Sequence, residues 1–164
     1  MFSKFSPLKI TFIQVGKTNQ NFVKEGFEMY RKRLIHYTNF EEITIDDIKN
    51  PKNIKSDKLK QLEGEKILKK LTNTDFVVLL DEKGKAFNSN TFAKWIENKM
   101  IQSTKNLVFI IGGAFGFSEA VYQRANAKIK LSDMTFSHQI IRTIFAEQLY
   151  RAFTIIKGEK YHNN

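Results

Sequence analysis

Three glycines fall within five residues at Gly112-Gly113-x-x-Gly116, directly after the apolar run Leu107 to Ile111. Missing side chains there would let a ligand approach the backbone and use its N–H groups. The spacing is neither the dinucleotide fingerprint G-x-G-x-x-G nor a Walker A loop, which needs Lys-Ser/Thr after its last glycine. A tight turn capped by Ser118 would produce the same letters. Two further loops follow apolar runs: Leu80-Asp81-Glu82-Lys83-Gly84-Lys85, and Ser132-Asp133-Met134-Thr135-Phe136-Ser137-His138. Covalent and metal chemistry have little to work with. The histidines are His36, His138 and His162, none in an H-x-x-x-H pair, there is no cysteine, and Ser118 lies outside a G-x-S-x-G elbow. A metal site is therefore not expected. His138 stands at the start of a long helical stretch beside Thr135 and Ser137, where it reads either as a cap-region residue or as a functional one.

The elements that must carry these loops show in the hydrophobic pattern. Apolar runs rich in β-formers recur at Leu8 to Val15, Phe40 to Ile45, Phe76 to Leu80, Leu107 to Ile111 and Ala127 to Leu131. Between them Phe22, Phe27 and Tyr30, then Leu59, Leu62, Ile67, Leu68 and Leu71, then Phe92, Trp95, Ile96 and Met100 fall near i, i+3, i+4. The alternation predicts an α/β fold, a mostly parallel sheet with helices on both faces. The continuously apolar third and fourth runs should be central strands, buried on both sides. Ile140, Ile141, Ile144, Phe145, Leu149, Ala152, Phe153 and Ile156 make the longest helix, ending at Gly158. Arg142 and Arg151, with Glu147 between them, fit a solvated face of it. Ile48 to Lys60 reads as a polar loop running into a helix, with Ser56 as its N-cap. In such sheets ligands settle beyond the carboxyl ends of the strands, where the loops diverge, so the three loops above form the expected site.

Composition agrees with a single domain spanning residues 1–164. A chain of this length needs neither disulfide nor structural metal to bury a core. No run approaches the ~20 apolar residues of a membrane span, and Met1 to Pro7 lacks the apolar stretch of a secretory signal, so a cytoplasmic protein without membrane attachment is expected. The first seven residues should fray. The 27 Lys and Arg against 17 Asp and Glu leave a net charge of +10. It is split evenly, +5 in residues 1–75 and +5 in residues 76–164, so no detachable basic tail carries it. A basic folded domain attracts polyanions by counterion release, with nucleic acid the leading candidate.

Four late stretches, in order, carry a resemblance. They are Leu107-Val108-Phe109-Ile110-Ile111-Gly112-Gly113-x-x-Gly116, Leu131-Ser132-x-Met134-Thr135-Phe136-x-His138-Gln139, Glu147-Gln148-Leu149-Tyr150-Arg151-Ala152-Phe153, and Gly158-Glu159-x-Tyr161-His162. With Val15-Gly16-Lys17 and Leu80-Asp81-x-x-Gly84-Lys85 upstream, the chain resembles the RlmH family of ribosomal RNA methyltransferases over nearly its whole length. The resemblance implies a SPOUT-type fold with a C-terminal trefoil knot and a homodimer. It also implies methyl transfer from S-adenosylmethionine to N3 of a pseudouridine in a hairpin loop of 23S ribosomal RNA on the assembled ribosome. The family's cofactor contacts map onto Leu80, Gly112, Leu131, Ser132, Asp133, Met134, Thr135 and Phe136, the same three loops. Since N3 carries an imide proton, a base or an anion-stabilising charge is needed, and His138, Arg142, Tyr161 and His162 are the candidates. Two departures stand out: Ser137 and Lys160 replace the prolines usual in the family, and Ser137 is expected to cap the helix instead. A SPOUT enzyme acting on transfer RNA or another ribosomal base, and a non-catalytic ribosome-binding module, are the alternatives.

Overall fold

The computed structural model describes residues 8–163; the expectation that residues 1–7 fray lies outside them. Five strands form one sheet: β1 (Lys9–Val15), β2 (Asn39–Ile45), β3 (Phe76–Ala86), β4 (Asn106–Ile111) and β5 (Ala127–Lys130). Five helices alternate with them: α1 (Asn21–Leu34), α2 (Ser56–Leu68), α3 (Ser89–Ile101), α4 (Glu119–Arg124) and α5 (Ile140–Ile156). Every pairing is parallel and the order is β2-β1-β4-β3-β5, so the two continuously apolar runs, β3 and β4, are internal strands as their composition requires.

The sheet divides the core by strict alternation. Ile10 and Phe12 of β1, Val78 of β3, and Leu107, Phe109 and Ile111 of β4 face Phe27, Ile96, Phe145 and Leu149 of α1, α3 and α5. Ile13, Val15, Val77, Leu79, Val108 and Ile110 face Ile67 of α2 and Val121 of α4 on the other side. Phe145 packs between Phe12, on which it stacks, and the tilted ring of Phe109, with centroids 5.1 and 4.8 Å away, which seats α5 over the middle of the sheet. At 17 residues α5 is the longest helix among those described.

Two expectations from the sequence shift. The helix expected to be capped by Ser56 has Lys55 at its N-cap, with Ser56 as the first helical residue and no side-chain cap bond. Strand β3 does not stop at Leu80. Asp81 to Ala86 continue it through a register shift between Leu80 and Lys85, so that Lys85 and Ala86 pair again with Ile129 and Lys130 of β5. The polar composition after Leu80 hides this extension because a bulged edge faces solvent.

Candidate functional site

The carboxyl ends of β3, β4 and β5 open into a cavity of about 950 Å³. All three glycine- and polar-rich loops line it: Leu80 to Lys83, Gly112 to Phe117, and Leu131 to His138. The structure therefore brings together Leu80, Gly112, Leu131, Ser132, Asp133, Met134, Thr135, Phe136 and His138 from segments that span more than 50 residues of sequence. This follows from strand order, since β3, β4 and β5 end side by side.

The glycine loop is bare by necessity. A β-carbon on Gly112 would sit 3.1 Å from the Phe117 ring and 3.3 Å from the Gly116 carbonyl; one on Gly113 would sit 2.8 Å from a carboxylate oxygen of Glu63. Ser118 closes the loop by accepting from the Val121 N–H at the N-cap of α4, so the capped turn and the pocket coexist. Glu63 itself is 8% exposed, and burial, with Asp47 nearby, pushes its carboxyl above the usual range. On the β3 side, the Tyr122 hydroxyl donates to Asp81, whose other oxygen accepts from the Lys83 N–H (2.7 Å), pinning the bulge. In the third loop Met134 donates its N–H to Ser132 Oγ (3.0 Å). The carboxylate of Asp133 is taken by Lys130 at 2.5 Å, which holds its pKa below the usual value. Around the rim Phe115, Met134 and Phe136 are exposed, at 58%, 78% and 40%, an uncovered apolar fringe suited to a flat ring. Lys60, Lys83 and Lys130 add positive charge to the same lining.

The remaining candidates lie elsewhere. Arg142 is fully buried, which corrects the expectation of a solvated helix face: heptad spacing from Leu149 and the i+3 relation to Phe145 put it on the buried stripe. Its guanidinium donates to the carbonyls of His138, Val15 and Gly16 and to Thr18 Oγ1, at 2.8–2.9 Å. It does not line the cavity. Tyr161 and His162 fold back onto the middle of α5. Tyr161 donates to Glu147 Oε1 (3.1 Å) and packs edge-on against Tyr150, with the Arg151 guanidinium 4.7 Å above its ring. Arg151 grips Glu147 through Nε and Nη2 and meets His162 Nδ1 at 3.3 Å. Burial, followed by the Tyr30 hydroxyl, pushes the Tyr161 phenol well above its ordinary value, so it stays protonated at neutral pH. Sequence reasoning did not single out Glu63, which backs the glycine loop, nor the ion pair that Glu147 and Arg151 form under the C-terminal tail. A carboxylate at i+4 from Leu59 and i−4 from Ile67 was the available signal for the first.

Among the described residues no group of three His, Asp or Glu could hold a metal, and no helix is long and apolar enough to cross a membrane.

A parallel sheet whose carboxyl-end loops close around one pocket, followed by a long helix packed back over the strands, is an architecture shared with SPOUT methyltransferases. The family profile described as "Predicted SPOUT methyltransferase" matches residues 8–162. The solved tRNA (m1G37) methyltransferase of Aquifex aeolicus superposes with a TM-score of 0.57 at 16% identity, covering 97% of this chain and 76% of that one. Among curated proteins, the ribosomal RNA large subunit methyltransferase H of Parabacteroides distasonis is 53% identical over 156 residues, 95% of this chain and 99% of its own. That of Cytophaga hutchinsonii is 52% identical over 95% of this chain and all of its own. The chain belongs to the ribosomal RNA large subunit methyltransferase H family of the SPOUT methyltransferases.

Proposed function

We propose that the protein methylates N3 of a pseudouridine in a hairpin loop of 23S ribosomal RNA, position 1915 in the usual bacterial numbering. It takes the methyl group from S-adenosylmethionine and acts as a homodimer on the assembled ribosome. The observation that carries the reading is the convergence of the three loops on one cavity. The residues present fit the donor. A floor without β-carbons at Gly112 and Gly113 accepts close backbone contact, the loop from Leu131 to Phe136 offers N–H and C=O groups for an adenine edge, and Leu80 offers an apolar wall. Asp81 and Lys83 put one charge of each sign on the lining.

S-adenosylmethionine supplies an already activated methyl on its sulfonium, so the protein's task is alignment and management of one proton. In this reading His138, which lines the pocket, is the group of the same chain that meets the target base. Tyr161 and His162, held by Glu147 and Arg151, belong to this reading as groups delivered from the partner copy, since in one chain they sit away from the pocket. Phe115, Met134 and Phe136 provide apolar faces for a base extruded from its stack. The net charge of +10 favours docking on ribosomal RNA. Support for the large ribosomal subunit as substrate comes from the relatives at about half identity over nearly full length.

The test is methyl incorporation from labelled S-adenosylmethionine into assembled ribosomes, ribosomes lacking the pseudouridine, free ribosomal RNA and transfer RNA. Incorporation restricted to ribosomes that carry the pseudouridine supports the reading; labelling of transfer RNA, or none on any substrate despite donor binding, would overturn it.

A further inference from the structure

We infer that Arg142 is a positioning residue: its buried guanidinium fork fastens the first turn of α5, and with it His138 and the end of the third pocket loop, to the segment that follows β1. The inference rests on reading the cavity as the methyl-donor site. Arg142 is the largest fully buried side chain of the described residues. Its N–H groups are spent on three backbone carbonyls and one hydroxyl, and none on a carboxylate.

The geometry joins two segments more than 120 residues apart. Val15 and Gly16 lie just beyond the last β1–β4 pair, Gln14 with Ile111. Gly16 turns the chain at φ +76°, with an Asp47 oxygen 2.5 Å from where a β-carbon would sit, so the turn that aims these carbonyls at Arg142 needs glycine. Gln139 forms a second strap beside the first. Its Oε1 accepts from the Asn19 N–H (2.8 Å) and its Nε2 donates to the Lys17 carbonyl (3.1 Å). The strapped turn begins at His138, the residue with which the third loop leaves the cavity wall, and Ile141 one turn on lines it again.

A core that needed only volume here would be served as well by Leu or Met, because a buried charge is costly and adds little stability by itself. A planar fork adds direction: acceptors at fixed angles admit one placement of the helix, which a lysine ammonium cannot enforce. The loop from Leu131 to Phe136 has little regular hydrogen bonding of its own, so its far end needs an external anchor.

The experiment compares the wild-type chain with Arg142→Lys, and with Thr18→Val and Gln139→Ala, which cut single straps and leave the buried charge in place. S-adenosylmethionine binding is followed by calorimetry. Turnover on ribosomes is followed at limiting and saturating donor, below the melting temperature of each variant. The expected result is a donor Kd raised about tenfold in Arg142→Lys and about threefold in the single-strap variants, with kcat at saturation falling in the same order because His138 moves with the turn. If Arg142→Lys does not fold, the other two variants carry the test. A kcat collapse in Arg142→Lys alone, with unchanged Kd and with the single-strap variants like wild type, would mean that the guanidinium acts on the reacting atoms, and unchanged Kd and kcat in every folded variant would mean that it only fills the core; either overturns the inference. A wild-type chain that binds no donor would bring down the pocket reading and this inference together, whereas binding by wild type with unaltered variants removes this inference alone.

Discussion

Glu63 sits behind the glycine loop with its carboxylate 2.8 Å from the absent Gly113 β-carbon, and burial raises its pKa above the ordinary 4.5. A raised carboxyl favours folding in its protonated form. Its contribution is therefore complete below the unfolded value and is lost as pH rises through the folded one, leaving ionised Glu63 as a cost at neutral pH. Glu63→Gln should melt higher than wild type at pH 7.5, with the gap closing near pH 4; parallel melting curves at both pH values would refute it. On the same loop, Gly112→Ala puts a methyl against the Phe117 ring and the Gly116 carbonyl. Losing one backbone contact of ~1.4 kcal/mol would weaken donor binding about tenfold, and calorimetry that finds equal affinity would count against the pocket. At this scale the loops were legible because glycine and polar residues directly after an apolar strand mark a place where the backbone must stay open. Arg142 was not: charge argued for solvent, while the spacing from Phe145 and Leu149 argued for the core, and packing decided for the spacing.

The elements were legible wherever hydrophobicity alone sets them. Strands β1, β2, β4 and β5 begin and end within a residue of the apolar runs, β1 and β4 because both faces are covered, the edge strands β2 and β5 through their fewer buried residues. Strand β3 escaped that rule because its second half is held by edge pairing with β5, which leaves no apolar trace. The start of α5 is a different case. Ser137 stands where the family usually has proline, and its hydroxyl accepts from the Ile140 N–H (3.2 Å) while its carbonyl accepts from Ile141. The N-cap of α5 is nevertheless Gln139, with no side-chain cap bond, which corrects the expectation that Ser137 caps the helix: the Ser137 hydroxyl ties the turn that leads into it. Ser137→Ala removes that one hydrogen bond and should cost ~1 kcal/mol, lowering the melting temperature by roughly 2–4 °C. Because the same turn carries His138 and the Arg142 straps, donor affinity should fall with it. A Ser137→Ala chain that melts like wild type would show that the straps alone fix the turn.

Across the whole molecule, the proposed site draws on two places along α5, its start at the pocket and its middle, where the tail is bound. Glu147 and Arg151 lie 9 and 13 residues beyond His138, about 14–20 Å along the axis at helical rise. Tyr161 and His162 are bound to them rather than to the pocket. Net charge and strand alternation could be read directly from the chain, but neither reports what a second copy contributes, nor how the C-terminal segment threads, because both depend on contacts that leave no periodic mark. If the working site joins the pocket of one copy to the tail of another, two crippled variants should repair each other. Gly112→Val, which blocks the pocket floor, and His162→Ala, which alters the tail, should each be inactive as pure dimers. Co-expressed, half of the dimers are mixed, and each mixed dimer holds one intact pocket facing one intact tail. The mixture should therefore recover about one quarter of wild-type turnover on ribosomes. A site built within a single chain predicts no recovery, because every chain in the mixture is defective in one part. Turnover of the mixture no higher than that of either variant alone would assign the tail to its own protomer and require it to leave Glu147 and Arg151 to reach the pocket.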